Sequence, residues 1–299
     1  MDFGKILKNA WKTVWTHKVL FYFGFLMGIP SILMGIIMGG IFFFLTEDNI
    51  FAFVDHPERT PLFLILYFAF IIIFIIFSYV MTTLSFAGVF KGTLDLQGKK
   101  DSLSFSELWT ASLPYFGRVL GVLFIIFLAI FILVMIPIFL GIFVGALTAG
   151  IGFLCLMPLF FLIIPLELVG YLLASVAMAA TVAEDLGVFD ALRRAWEVVK
   201  KKFWILVLMT IILAFLQWAA SMIVMIPMQF AQMALMFSSD FLNSTDPNTF
   251  FRPVSILILL FMPLIALVQS LGLTYANAAW MLTYLEVSAP ETDEIIFDV

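Results

Sequence analysis

The sequence predicts an all-α integral membrane protein: six transmembrane helices arranged as three parallel repeats, each an interfacial amphipathic helix followed by a two-span hairpin. Three observations carry this expectation. Of the 299 residues, 64% are apolar and 12% charged, and the mean hydropathy is +1.17; a soluble domain averages about 45–50% apolar and about 25% charged residues. The apolar residues fall in runs longer than the ~20 needed to cross a bilayer core roughly 30 Å thick. The Lys and Arg residues then collect on alternate connecting segments. A soluble globular chain, a disordered chain and a disulfide scaffold are all excluded, the last because Cys155 is the only cysteine.

The N-terminus sets Phe3, Ile6, Leu7, Ala10, Trp11, Val14 and Trp15 against Lys5, Lys8 and Lys12. A basic face opposite an aromatic apolar face is the pattern of a helix lying in the membrane interface. The first span, residues 19–44, is longer than a signal-peptide core and has no small-residue cleavage site after it, so it reads as retained. Pro30 interrupts it. The second span, 62–90, follows a polar stretch at 46–61. A second amphipathic segment covers 104–116, opened by a Ser104/Glu107 capping box, with Leu108, Trp109 and Phe116 as its apolar mass. Residues 119–183 form one apolar block whose single charge is Glu167. As one helix it would measure ~100 Å, so it must fold back into a third and a fourth span, with the turn at the small residues 145–152.

The third amphipathic segment, 189–203, has its apolar residues at Phe189, Leu192, Trp196, Val199 and Phe203, a helical stripe. The fifth span covers 203–234, with Pro227 as a candidate break, and the sixth covers 253–284. Residues 1–286 are therefore read as one membrane domain with repeats at 1–95, 102–184 and 187–286. An acidic tail, 287–299, carries Glu291, Asp293, Glu294 and Asp298. The repeats rest on short matches. Leu7-Lys8-Asn9-Ala10-Trp11 parallels Leu192-Arg193-Arg194-Ala195-Trp196, and the middle copy, 108–112, keeps Leu108 and Ala111. Val134-Met135-Ile136-Pro137 parallels Val224-Met225-Ile226-Pro227. Each unit closes on a threonine near an acid: Thr93 and Asp95, Thr181 and Glu184, Thr283 and Glu286.

Thirteen Lys and Arg residues fall on the side of the N-terminus, and only Arg59 and Arg252 fall on the other. The positive-inside rule then places both termini in the cytoplasm.

The segment 181–204 resembles the membrane domain attached to some glycerophosphodiester phosphodiesterases and shared by stand-alone bacterial inner-membrane proteins. The residues that carry the resemblance are Asp185, Gly187, Ala191 to Arg194, Ala195, Trp196, Lys200 to Lys202, Phe203 and Trp204, with Ala10-Trp11 as a shorter echo. The resemblance implies a six-span fold in a bacterial inner membrane. It implies no catalytic residues, because in the fused enzymes the chemistry belongs to a separate soluble domain.

Glu167 is the sharpest candidate for function. A carboxylate at a helix centre costs roughly 2.5–3.5 kcal/mol on insertion scales. With Gly170, Ala174, Ala177 and Thr181 it follows 3, 4, 3, 4 spacing, so it is expected to share their face and point into the bundle. Gln217 and Gln269 are its expected partners. Two readings stand: a proton, cation or ligand-amine site, or a neutral glutamic acid bonded to an amide as helix glue. Pro30, Pro137, Pro158, Pro165 and Pro263 read as kinks, and the Gly-x-x-x-Gly spacings at 24/28, 35/39 and 141/145 as close packing. Arg193, Arg194, Lys200, Lys201 and Lys202 are candidate contacts for anionic headgroups.

No catalytic set is expected. His17 and His56 fall on opposite sides of the membrane, no metal-ligand cluster can be assembled, and no phosphate-binding glycine loop is present. No cofactor and no nucleic-acid partner are expected. The function the sequence favours is a non-enzymatic membrane module that engages lipids or amphiphiles, or scaffolds a membrane protein partner. The alternative is a small-molecule or ion transporter built on Glu167.

Overall fold

A computed structural model describes residues 1–44, 60–98, 103–148, 161, 163–238 and 248–289. All its regular elements are helices: α1 (Phe3–Thr16), α2 (Val19–Leu26), α3 (Gly28–Phe44), α4 (Thr60–Gln97), α5 (Phe105–Leu147), α6 (Ile163–Ala183), α7 (Val188–Met236) and α8 (Asn248–Ser288). There is no strand among the described residues. Five helices, from α4 to α8, are long and apolar enough to cross a membrane, and the bent pair α2 and α3 makes six if it counts as one span. The chain is thus a multi-pass helical membrane protein. Cys155, Pro158, Lys99, Lys100, the acids of the tail and the turn beyond Thr148 lie outside the described residues.

The bend of 47° between α2 and α3 has a local cause. Pro30 offers no N–H, and its ring crowds the carbonyl four residues back, that of Leu26, where α2 ends. The other described prolines act differently. Pro114, Pro137, Pro227, Pro253 and Pro263 all lie inside continuous helices. The candidate break at Pro227 is therefore absent: one lost backbone hydrogen bond is tolerated where neighbours and local adjustment compensate.

The amphipathic segments divide in two ways. α1 is a separate helix, capped by the Asp2 carboxylate on the Lys5 amide at 3.0 Å and ending at His17. The third segment is the first part of α7, and the helix leaves regular geometry at Lys202 (φ −124°, ψ 27°) before continuing as a span. The second segment is not a separate element: α5 runs unbroken from Phe105 into the third span. Its start is as expected, with Ser104 and Glu107 capping each other's backbone amides at 3.0–3.2 Å.

Compact packing divides the chain into two units. The first comprises Met1–His17, Phe86–Leu213 and Ala276–Val299; the second comprises Lys18–Ser85 and Ala214–Tyr275. In the first unit the ends of three helices are buried on all sides: 87–90 with Thr93 on α4, 175–182 on α6 and 276–284 on α8. Their interiors are rich in Ala, Ser and Thr. α1 covers this core with Ile6, Ala10 and Val14, α5 with Leu108, Ser112 and Val119, and α7 with Ala191, Ala195, Val198 and Val199.

That burial separates two faces at the start of α7. Phe189 and Trp196 face outward, 77% and 45% exposed, while the small residues beside them face the core. Alanine lets a helix lie close to its neighbours, and an indole in that position would hold it away. In the middle copy, burial falls on Ser112, not Ala111, one position later than the sequence pairing with Ala10.

In the second unit, glycines bring the bent span against α8. A Cβ on Gly24 would overlap the Thr274 hydroxyl, and one on Gly28 the Ser270 hydroxyl. One on Gly35 would lie 2.6 Å from Met262 Cβ, and one on Gly39 2.8 Å from Leu259 Cγ. Two of the Gly-x-x-x-Gly spacings thus serve as packing, as read from the sequence. Phe42 stacks on Phe251 beyond them. We expect Gly24→Val to force these helices apart and lower unfolding stability in detergent by about 1–3 kcal/mol, the usual range for overpacking, whereas Gly40→Ala, inside a helix with open space around it, raises it by about 0.5–1 kcal/mol.

Candidate functional site

The densest polar cluster sits in the first unit, where α6 ends and α7 begins. α6 stops at Ala183, and Asp185 adopts φ 53°. This left-handed conformation turns the chain out of the helix; it suits glycine best, but Asp and Asn tolerate it. Asp here also supplies a carboxylate. Arg118 of α5 donates from one nitrogen to the Asp185 carboxylate at 2.6 Å and to its carbonyl at 3.2 Å. The pair is largely exposed, so its own stabilisation is small, about 0–1 kcal/mol. Its effect is geometric, because it ties the third span to the α6–α7 corner.

One residue earlier, Glu184 joins three helices. Its Oε1 accepts from Arg194 Nε of α7 at 3.1 Å and from the Tyr284 hydroxyl of α8. Both ionic side chains are about one-third exposed. Nearer the membrane-spanning part, Trp280 Nε1 donates to the Tyr171 hydroxyl at 3.1 Å, again joining α8 to α6. Lys91 of α4 pairs with Asp95 at 2.9 Å, and both Lys91 and Arg118 lie over the Tyr115 ring, at 5.6 and 5.9 Å. These groups hold helix ends in register. None of them forms a nucleophile–base pair, and no group of His, Cys, Asp or Glu among the described residues could hold a metal ion.

The candidates named from sequence are distributed otherwise than expected. Glu167 does not point into the bundle; it is exposed on α6 beside Ile164 and Tyr171. The packed face of α6 belongs to Gly170, whose missing side chain admits Ile130 of α5, and to Ala177 and Thr181 below it. A carboxylate does not fit an interface that only glycine opens. Glu167 is part of the first unit, whereas Gln217 and Gln269 are part of the second. Gln269 is exposed, and Gln217 is half-buried, its Cγ 3.5 Å from where a Cβ of Gly272 would stand.

Of the basic candidates, Arg194 is engaged by Glu184, so it is a structural tie and is not free for a headgroup. Arg193 is exposed, 3.7 Å from Glu197. Lys200 lies over the Trp196 ring at 4.7 Å, Lys201 is exposed, and Lys202 occupies the kink. α1 presents a matching surface. Trp11 and Trp15 stack at 5.3 Å on its exposed side, flanked by exposed Lys5, Lys8 and Lys12. The site residues that the sequence reading did not single out are Arg118 and Tyr284; Asp185 was named only for the resemblance, and Glu184 only as the acid that follows Thr181.

Comparison of the chain with protein-family models, with curated proteins and with solved structures gives no match.

Glu184→Gln and Tyr284→Phe each remove half of the three-helix junction. Allowing for partial solvent screening, we expect the two changes to couple by about 1 kcal/mol in a double-mutant cycle read by unfolding in detergent. Effects that add within ~0.3 kcal/mol would mean that the two side chains act independently. In a separate test, Asp185→Gly should preserve folding while freeing Arg118. Asp185→Ala should cost about 1–2 kcal/mol more, the penalty for a Cβ in the left-handed region.

Proposed function

We propose that this protein is a non-enzymatic membrane module whose amphipathic helices engage lipid headgroups at one membrane surface, holding lipids or amphiphiles there or scaffolding a membrane protein partner. A single observation carries the reading. α1 and the first part of α7 bury only small or aliphatic residues against the bundle and, Arg194 apart, turn these aromatic and basic residues outward: Trp11, Trp15, Lys8 and Lys12 on α1, and Phe189, Trp196, Arg193 and Lys200 on α7. Indoles favour the headgroup layer, and lysines above them favour anionic lipid. Such side chains turned toward a bundle would be explained by packing. Turned away from it, they are explained by what lies outside.

The module is six-span in this reading, counting α2 and α3 as one span, with both termini on the lysine-rich, cytoplasmic side of a bacterial inner membrane. It consists of three parallel units. Two features support that organisation. Thr93, Thr181 and Thr283 are each fully buried at the end of a second span. A small buried residue followed by a large exposed one recurs on the three amphipathic segments, as Ala10 and Trp11, Ser112 and Leu113, and Ala195 and Trp196.

The test is lipid retention. Protein released from its membrane and analysed by native mass spectrometry should carry phospholipid. Replacing Lys8, Lys12, Lys200 and Lys201 together by Gln should reduce retained anionic lipid by about tenfold or more, each charge near an anionic surface contributing about 1 kcal/mol. Retention equal to that of the unaltered protein would remove the headgroup reading.

A further inference from the structure

The two outward faces differ in the order of their charges. On α1 the exposed charged residues between the Asp2 cap and the helix end at Thr16 are Lys5, Lys8 and Lys12, with no acid among them. On α7 the exposed face runs Asp190, Arg193, Trp196, Glu197, Lys200 and Lys201, whose spacings of three and four positions put them on one side of the helix. Glu197 stands between cations, Arg193 before it and Lys200 after it, and acids and bases alternate along the face from Asp190 to Lys200.

We propose that the α7 face binds a zwitterionic phosphoethanolamine headgroup, while the α1 face takes anionic headgroups without an ammonium. The proposal rests on the lipid-surface reading given above and narrows it to a class of lipid. A phosphoethanolamine carries a phosphate and an ammonium joined by a two-carbon spacer. On α7, the Lys200 ammonium and the Arg193 guanidinium are donors for the phosphate. The Glu197 carboxylate accepts the ammonium.

The geometry leaves these groups open to a lipid. Arg193 Nε and Glu197 Oε1 are 3.7 Å apart, too far for a hydrogen bond, and their side chains are 84% and 50% exposed. Such a pair holds itself together weakly and exchanges readily with an external ion pair. Lys200 is placed by the Trp196 ring beneath it at 4.7 Å, and that contact leaves its N–H donors free to turn toward a phosphate. Arg194, one position from Arg193, cannot join this site because Glu184 engages it.

The experiment uses the full-length protein in nanodiscs of equal parts phosphatidylethanolamine and phosphatidylglycerol, with bound lipids counted by native mass spectrometry. The unaltered protein should retain both. Glu197→Gln removes the ammonium acceptor without changing size. It should cut retained phosphatidylethanolamine at least threefold while phosphatidylglycerol stays equal or rises. Lys8→Gln with Lys12→Gln should do the reverse, lowering phosphatidylglycerol and sparing phosphatidylethanolamine. Lipid retained at an unchanged ratio in Glu197→Gln overturns the headgroup assignment and leaves the lipid-surface reading standing. Retention of neither lipid by the unaltered protein overturns both. Circular dichroism of each variant separates loss of a site from loss of the fold.

Discussion

Close approach between helices is the constraint on which the rest of this molecule depends. In lipid, one apolar helix gains little hydrophobic advantage from another, so association depends on packing distance and on satisfying polar groups. The chain meets both needs with hydroxyl and small residues. Thr181 and Thr283 donate to carbonyls four residues back in their own helices, at 2.8 and 2.7 Å, as do Thr274 and Ser270, both at 2.6 Å. A hydroxyl bonded in this way is a compact side chain with no polar debt, and it can sit in an interface as an alanine does. Glycines complete the surface: Gly24 and Gly28 receive Thr274 and Ser270, and Gly170 receives Ile130. Thr93 departs from the pattern, its hydroxyl buried without a partner.

Once three helix ends are packed this closely, their charged caps have few places to go. Glu184 and Asp185 follow the last buried turn of α6, and the cations within reach are on the helices that cover it. The ties from Glu184 to Arg194 and Tyr284, and from Asp185 to Arg118, are modest in energy because solvent reaches them. Arg194 is drawn toward Glu184, while Ala191, Ala195, Val198 and Val199 pack on the core and leave Arg193, Trp196 and Lys200 outward. The outward aromatic and basic surface is thus the reverse side of a packed face of small residues.

Much of the architecture was legible in the residues. The long apolar runs, the bend near Pro30, the Ser104 cap and the amphipathic first part of α7 are all where pattern and local chemistry placed them, because each depends on neighbours a few positions away. Two readings failed for one common reason. Glu167 was assigned to the packed face by spacing, and Ala111 was paired with Ala10 by identity. Each reading treated apolar or periodic character as a measure of burial. In a membrane, an apolar side chain is as comfortable facing lipid as facing protein, and size decides which face packs. Pattern alone could not distinguish a stripe of indoles from a stripe of alanines one position away.

The sequence by itself determined that this chain is helical, that it enters a membrane several times, and where most of its helices begin and bend, because backbone hydrogen bonding in lipid and local capping leave few alternatives. Tertiary structure alone decided which side of each helix is covered. It joined Glu184 to residues 10 and 100 positions away, withdrew Arg194 from the outer surface, and left Glu167 outside the packed face. Those outcomes depend on how closely two helices approach, a distance set by side-chain volume on both partners at once, and no single segment carries that information.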